Sequence, residues 1–222
     1  NSSAPGPDDI PYSVWKMVAS KTPKTLTNLC SIMLEYGILP HSLKEAKAVL
    51  VPKPGKKDYS VLSSYRVIVL INTLSKILER VVNSRLFKTA IANGLVAKYQ
   101  CGSIKKRSTS DAANRLFHEI DILQKLGYEV STAFLDIKGA FDNMTHSKLE
   151  DRLKEGDVEE YLTGWIMSFL GERSIQMVFK GASKKFFSVS VGSPQGSPLS
   201  PLLFVIYVAP LHECKDPQKR IS

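Results

Sequence analysis

The clearest pattern in the chain is a helical one. Leu74, Ile77, Leu78, Val81, Val82 and Leu86 recur at the spacing of one helix face, and Asn93-Gly94 closes the run. Just before it, "VIVLI" (Val67–Ile71) is a short continuous apolar run of strand length. A second amphipathic helix opens at "STSDAA" with a serine or threonine cap. It places Ala113, Leu116, Phe117, Ile120 and Leu123 on one face and stops at Gly127. Val130–Ile137 is apolar on both faces, which predicts a strand in the middle of a sheet. Shorter helices are expected over "YSVWKMVAS", "LTNLCSIMLEYG" (closed by Gly37), "HSKLEDRLKEG" and "EEYLTGWIMSFLGE". "KAVLVPKPGKKD" reads as a strand running into a basic turn. "SIQMVFKGASKKFFSVSV" alternates apolar and polar residues around a glycine turn, as a β-hairpin does. "SPLLFVIYVAPLHE" reads as a helix with Pro201 in its first turn. Helices precede and follow isolated strands and a hairpin, so an α+β fold with helices on one side of a sheet is expected.

Composition narrows the function classes. The 222 residues make one large domain or two small ones, and 43% hydrophobic content is enough for a core. Lys and Arg number 30 against 21 Asp and Glu, a net charge of +9. That excess favours a polyanionic partner such as nucleic acid, with a solvated basic surface as the plainer alternative. Cys30, Cys101 and Cys214 are widely spaced and odd in number, which fits no disulfide framework and favours a reducing compartment. His212 and Cys214 lie two apart, but no metal site is expected there. The first residues, "NSSAPGPDDIP", have no apolar signal core, and "LLFVIYVA" is too short to span a bilayer. A soluble, intracellular protein is expected, with no membrane partner. The chain opens on Asn1 and reads as part of something longer.

Three stretches carry candidate chemistry. In "TAFLDIKGAFDNM" the expected central strand ends on Asp136. A buried carboxylate costs several kcal/mol unless a cation, donor or metal compensates it. Gly139 allows a sharp turn and close approach of a ligand. A strand-end aspartate also serves as a turn or helix cap, and Asp142 fits that second role equally well. In "GSPQGSPLSPLLF" a Gly/Pro turn around Gln195 leads into an apolar helix. Exposed N–H groups at a helix start suit anions, and Gln195 offers both a donor and an acceptor. In "VPKPGKKDYSVLSSYR" Lys53, Lys56 and Lys57 surround a turn and Arg66 opens a strand, a set suited to phosphate. Lys105, Lys106 and Arg107 form another basic cluster, and Tyr59, Tyr65 and Tyr99 add stacking surface. Either cluster alone is also what a solvated face looks like. Together the three stretches suit phosphoryl transfer assisted by two Mg²⁺ ions. That chemistry needs a second carboxylate strand, and the sequence shows no convincing one.

These residues resemble the reverse transcriptases of non-LTR retrotransposons. "APGPDDIP", "LKEAKAVLVPKPGKKD" with "SSYRVIVLINTLSKILERVVNSRL", "YQCGSIKKRSTSDA", "AFLDIKGAFDNM" and "GSPQGSPLSPLLFVIYVAPL" match that family's motifs in its order across nearly the whole chain. The resemblance implies a right-hand polymerase fold: fingers plus an incomplete palm, an antiparallel sheet with packed helices, and no thumb. Fingers would cover approximately 1–100 and 143–196, and partial palm approximately 101–142 and 197–222, all within one partial domain, 1–222. It implies RNA-directed DNA polymerisation with an RNA template, a DNA primer, deoxynucleoside triphosphates and Mg²⁺, and a nuclear location.

It also implies residue roles. Asp136 would bind both metal ions, with the backbone carbonyl of Ile137 as a further ligand. Phe141 would screen the ribose 2′-hydroxyl. Gln195 and Gly196 would contact the incoming nucleotide and template. Arg66, with Lys53, would hold the triphosphate. Lys56, Lys57, Lys105, Lys106 and Arg107 would contact nucleic acid. Two departures stand out. Val67 replaces the family's usual proline, and the family's adjacent aspartate pair has no counterpart except Asp8-Asp9 in the leading loop. The 222-residue chain is therefore expected not to polymerise by itself. Other readings are a non-catalytic nucleic-acid-binding module, a decayed element copy, or an intron maturase. A viral RNA polymerase is disfavoured by Phe141.

Overall fold

The computed structural model describes residues 4–179 and 182–212. Its elements are α1 (Tyr12–Lys21), α2 (Pro23–Glu35), α3 (His41–Lys44), β1 (Glu45–Pro52), β2 (Tyr65–Ile71), α4 (Thr73–Ala92), α5 (Thr109–Lys125), α6 (His146–Glu155), α7 (Glu160–Leu170), β3 (Arg173–Phe179), β4 (Ala182–Val189) and α8 (Ser200–Val208). Most follow the expected periodicities. The basic turn joins β1 to β2, the hairpin is β3–β4, and Pro201 stands at the start of α8. Cys214 lies outside the described residues.

The four strands form one sheet in the order β2-β1-β3-β4. β1 pairs antiparallel with β2, placing Ala48 opposite Val69, and β3 pairs antiparallel with β4. β1 and β3 run parallel, with Ala46 opposite Ile175. The sheet is therefore mixed, antiparallel as expected at β1–β2 and β3–β4 and parallel between β1 and β3. The reason is connectivity: four helices, α4 to α7, separate β1 and β2 from β3, long enough for a crossover. Ala46, Val69 and Ile71 bury one patch of the sheet against Val67 and Ile175.

The main core is helical. Leu78, Val82 and Leu86 of α4 fall at helical spacing and meet Leu149 and Leu153 of α6, Leu162, Trp165, Ile166 and Leu170 of α7, and Leu203 and Ile206 of α8. Trp165 and Phe169 stack with ring centroids 5.6 Å apart. The leading loop straps over the start of α4. Trp15 Nε1 donates to Thr73 Oγ1 at 2.9 Å, Thr73 Oγ1 donates to the Ile10 carbonyl at 2.7 Å, and Asn72 Nδ2 donates to the Ser42 carbonyl at 2.9 Å.

Two expectations fail around α5. Its start is as predicted: Ser108 and Asp111 form a reciprocal capping box. Its apolar face, however, is not buried, and Phe117 is 67% exposed. Val130–Ile137 forms no strand, and Phe134 and Leu135 are 84% and 94% exposed. The physical reason is the same for both. A strand exists only through a ladder with a neighbour, and no described strand runs beside 130–137. Apolar alternation states what a segment can bury, and the partner decides whether it does.

Candidate active-site cleft

The turn between β4 and α8, residues 191–199, is anchored along its length. At its start, Arg173 is buried and donates from Nε to the Leu170 carbonyl at 3.0 Å, and from Nη2 to the carbonyls of Val191 at 3.1 Å and Gly192 at 2.9 Å. His146 Nε2 lies 2.8 Å from the Gly192 carbonyl. The Gly192 and Ser193 amides donate to the carbonyls of Met144 at 3.0 Å and Phe141 at 2.7 Å, zipping the turn to the segment after Asp136. In the middle, the Val69 amide of β2 donates to the Gln195 carbonyl at 3.1 Å. At the end, Ser200 Oγ donates to the Pro194 carbonyl at 3.0 Å. Ser197 Oγ donates to Glu79 of α4 and accepts from the amides of Leu199 at 3.0 Å and Ser200 at 3.2 Å.

The turn forms one wall of a cleft of about 670 Å³. The β1–β2 connection supplies Lys53, β2 supplies Tyr65, Arg66, Val67 and Val69, and the turn before α8 supplies Ser193, Pro194 and Gln195. Asp142 and Arg173 complete its polar lining. Lys53, Arg66 and Gln195 are separated by up to 142 positions in sequence, yet they face one cavity. Lys53 Nζ donates to the Ser63 carbonyl at 2.9 Å. Three cations against Asp142 make the cleft suited to a polyphosphate anion.

The other candidates lie outside that lining. Asp136 and Ile137 sit on the exposed segment leading into the Gly139 turn, where the amides of Asp142 and Asn143 donate back to the Gly139 carbonyl at 3.1 and 2.9 Å. Phe141 packs on Phe204 of α8, with ring centroids 5.4 Å apart. Gly196 is exposed, with its backbone against β2. Lys56 and Lys57 are exposed on the β1–β2 turn. Arg107 is engaged within the protein, donating to the carbonyls of Lys98 at 3.0 Å and Gln100 at 2.6 Å. Lys105 Nζ lies 5.6 Å from the centre of the Phe87 ring, and Lys106 is exposed in a left-handed conformation, φ 64°.

The donor set for a metal ion is partial. Asp136 with the Ile137 carbonyl offers few of the oxygens that a hard cation requires. Among the described residues no group of three His, Cys, Asp or Glu side chains could hold an ion.

Two buried charges beside the turn were not singled out from the sequence. Glu79 is fully buried, and desolvation raises its carboxyl to about 7 against the hydrogen bonds from Ser197 and Ser75. Burial lowers Arg173 to about 10, partly offset by the charge of Glu79. Lys76, one turn from Arg80 on α4, is also lowered by burial. A signal for Glu79 did exist: it follows Ser75 by four and precedes Val82 by three, which puts it on the apolar stripe of α4. Arg173 opens a hairpin and carries no such mark.

No helix among the described residues is long and apolar enough to cross a membrane. Comparison with known proteins gives consistent relatives. The chain is 28% identical over 93% of its length to a probable RNA-directed DNA polymerase from transposon X-element of Drosophila melanogaster, covering 23% of it. It is equally similar, 28% over 93%, to the RNA-directed DNA polymerase from mobile element jockey of the same organism, covering 22% of it. The chain thus spans less than a quarter of the length of these curated relatives. In three dimensions it matches an apo telomerase from Candida tropicalis, truncated from its C-terminal domain, with a TM-score of 0.51 at 14% identity. That match covers 93% of this chain and 45% of the telomerase chain, and it shows the right-hand polymerase fold. Residues 51–217 match the reverse transcriptase (RNA-dependent DNA polymerase) family, and on that match over most of its length the chain belongs to this family of nucleotidyltransferases.

Proposed function

We propose that this chain is the fingers and part of the palm of an RNA-directed DNA polymerase, and that its cleft receives the incoming deoxynucleoside triphosphate. The observation that carries the reading is the convergence of Lys53 from the β1–β2 connection, Arg66 from β2 and Gln195 from the turn before α8 on one cleft of about 670 Å³. Arg66 grips phosphate with two donors and Lys53 adds a point charge. Gln195 hydrogen-bonds the nucleotide. The parent protein extends a DNA primer on an RNA template, and two Mg²⁺ ions supply charge neutralisation at the transferred phosphoryl group when bound. Asp136 contributes one carboxylate to that site. Approximate boundaries are 1–100 and 143–196 for the fingers, with 101–142 and 197–222 in the palm.

The 222 residues by themselves are expected not to polymerise, because their sequence offers no counterpart of the adjacent aspartate pair that would join Asp136 in a two-metal site. The test is primer extension on an RNA template by the intact polymerase containing this chain, with Arg66→Ala and Asp136→Ala alongside. Arg66→Ala is expected to raise the KM for deoxynucleotides and Asp136→Ala to abolish extension. Extension by the 222 residues alone, or binding of nucleic acid with no extension by the intact protein, would overturn the reading. The second outcome would favour a non-catalytic binding module.

A further inference from the structure

We infer that Glu79 is a positioning residue, which clamps the cleft's Gln195 turn from behind through Ser197 while Arg173 grips the turn's other end. This inference rests on the reverse transcriptase reading. Glu79 touches no part of the cleft; it acts through a chain of hydrogen bonds. Ser75 Oγ donates to its Oε1 at 3.2 Å, and Ser197 Oγ donates to its other oxygen. Ser197 then accepts from the amides of Leu199 and Ser200 at 3.0 and 3.2 Å, two donors at the start of α8 that lack a partner inside the helix. One serine therefore couples a buried carboxylate on α4 to the N-terminal end of α8, where negative charge is favoured.

The opposite end of the turn is held by a buried cation. Arg173 donates to the carbonyls of Leu170, Val191 and Gly192. Between the clamps sits the residue that faces the cleft. Gln195 is exposed, and its carbonyl takes the Val69 amide at 3.1 Å. Buried ionisable groups are expensive, so the two at the ends of this short loop need the hydrogen-bond partners that surround them. Arg173 finds its acceptors in the turn and its flank, and Glu79 is held by Ser197 of the turn together with Ser75 and the charge of Lys76 on α4. Loss of either clamp frees the turn without emptying the hydrophobic core.

The test uses the intact polymerase and the variants Glu79→Ala, Glu79→Gln and Ser197→Ala. Amide hydrogen exchange is followed in peptides covering 67–71, 191–200 and, for comparison, α7. Deoxynucleotide KM and kcat are measured on a primed RNA template. Ser197→Ala and Glu79→Ala are expected to speed exchange at Val69 and in the turn by about tenfold, equivalent to roughly 1.4 kcal/mol, and to raise KM by a similar factor. Exchange in α7 and kcat are expected to stay near the wild type. Glu79→Gln, which still accepts from Ser197, is expected to recover most of both effects. If Glu79→Ala does not fold, the other two variants carry the comparison. Unchanged exchange in the turn, uniform acceleration that includes α7, or a loosened turn with unchanged KM would each overturn the inference. A wild-type polymerase that extends no primer would sink the enzymatic reading, and the exchange measurements would then decide the clamp alone.

Discussion

The amide of Val69 donates to the carbonyl of Gln195 at 3.1 Å, joining a strand of the sheet to a turn 126 positions later. The next residue makes that contact possible. Gly196 has φ +121°, and a Cβ there would lie 2.8 Å from the Val69 carbonyl oxygen. Gly196→Ala combines a left-handed backbone with a backbone clash and should cost roughly 1–3 kcal/mol. Gly55 is the control. Its φ is +75°, but a Cβ would meet nothing within 4 Å, so Gly55→Ala carries strain alone. Denaturant unfolding should show the larger loss for Gly196→Ala, and only that variant should raise the deoxynucleotide KM.

Asp136 separates activity from stability. It lies on an exposed segment that takes no part in the sheet or the core. Asp136→Ala should leave the unfolding free energy within about 0.5 kcal/mol of the wild type, as exposed substitutions usually do. Extension by the intact polymerase should nevertheless be lost. Leu153→Ala is the converse case. Leu153 is fully buried between helices, and its truncation should cost about 2–5 kcal/mol. Equilibrium unfolding with a primer-extension assay distinguishes the two.

Glu79 should make stability depend on pH. Burial raises its carboxyl from 4.5 to about 7, so the folded state holds a proton that the unfolded state has released. The groups acting on it are the hydroxyls of Ser197 and Ser75, the Lys76 ammonium and the Leu199 amide, with the charge of Arg173 also interacting with it. Between pH 4.5 and 7 the folded chain binds more protons than the unfolded one, so stability is fully present below 4.5 and falls as pH rises through about 7. The contribution is on the order of 3 kcal/mol. Glu79→Gln does not titrate. The wild type should therefore lose stability relative to Glu79→Gln as the pH of thermal unfolding is raised across this window, and parallel curves would refute the assignment.

Phe141 and Phe204 should act as a pair. Their ring centroids are 5.4 Å apart with planes at 48°, and the Phe141 carbonyl accepts from the Ser193 amide at 2.7 Å. If Phe141 screens the sugar, its position is set by α8 and by the turn. Phe141→Ala should raise ribonucleotide incorporation by the intact polymerase. Phe204→Ala should shift sugar selection the same way to a smaller extent, because it leaves the ring present but unsupported. Competition between ribo- and deoxynucleotides in single-addition assays measures both.

Periodicity determined most of the local structure. The stripe from Leu74 to Leu86, the alternation around the Gly-containing hairpin turn, the cap at Ser108 and Pro201 at the head of α8 each specify an element by rules acting within a few residues. The motifs around Lys53, Arg66, Asp136 and Gln195 were legible as well, since each is a short run of unusual chemistry, whereas Phe141 stood out only through the family resemblance. Tertiary structure decided the rest. It made β1 and β3 parallel through a long crossover, gathered Lys53, Arg66 and Gln195 on one cleft, and left Asp136 and the apolar face of α5 uncovered. It also turned Glu79 and Arg173 into buried partners of the turn. The physical reason is that propensity and capping are local, whereas ladders, burial and the compensation of a buried charge depend on groups brought from far along the chain.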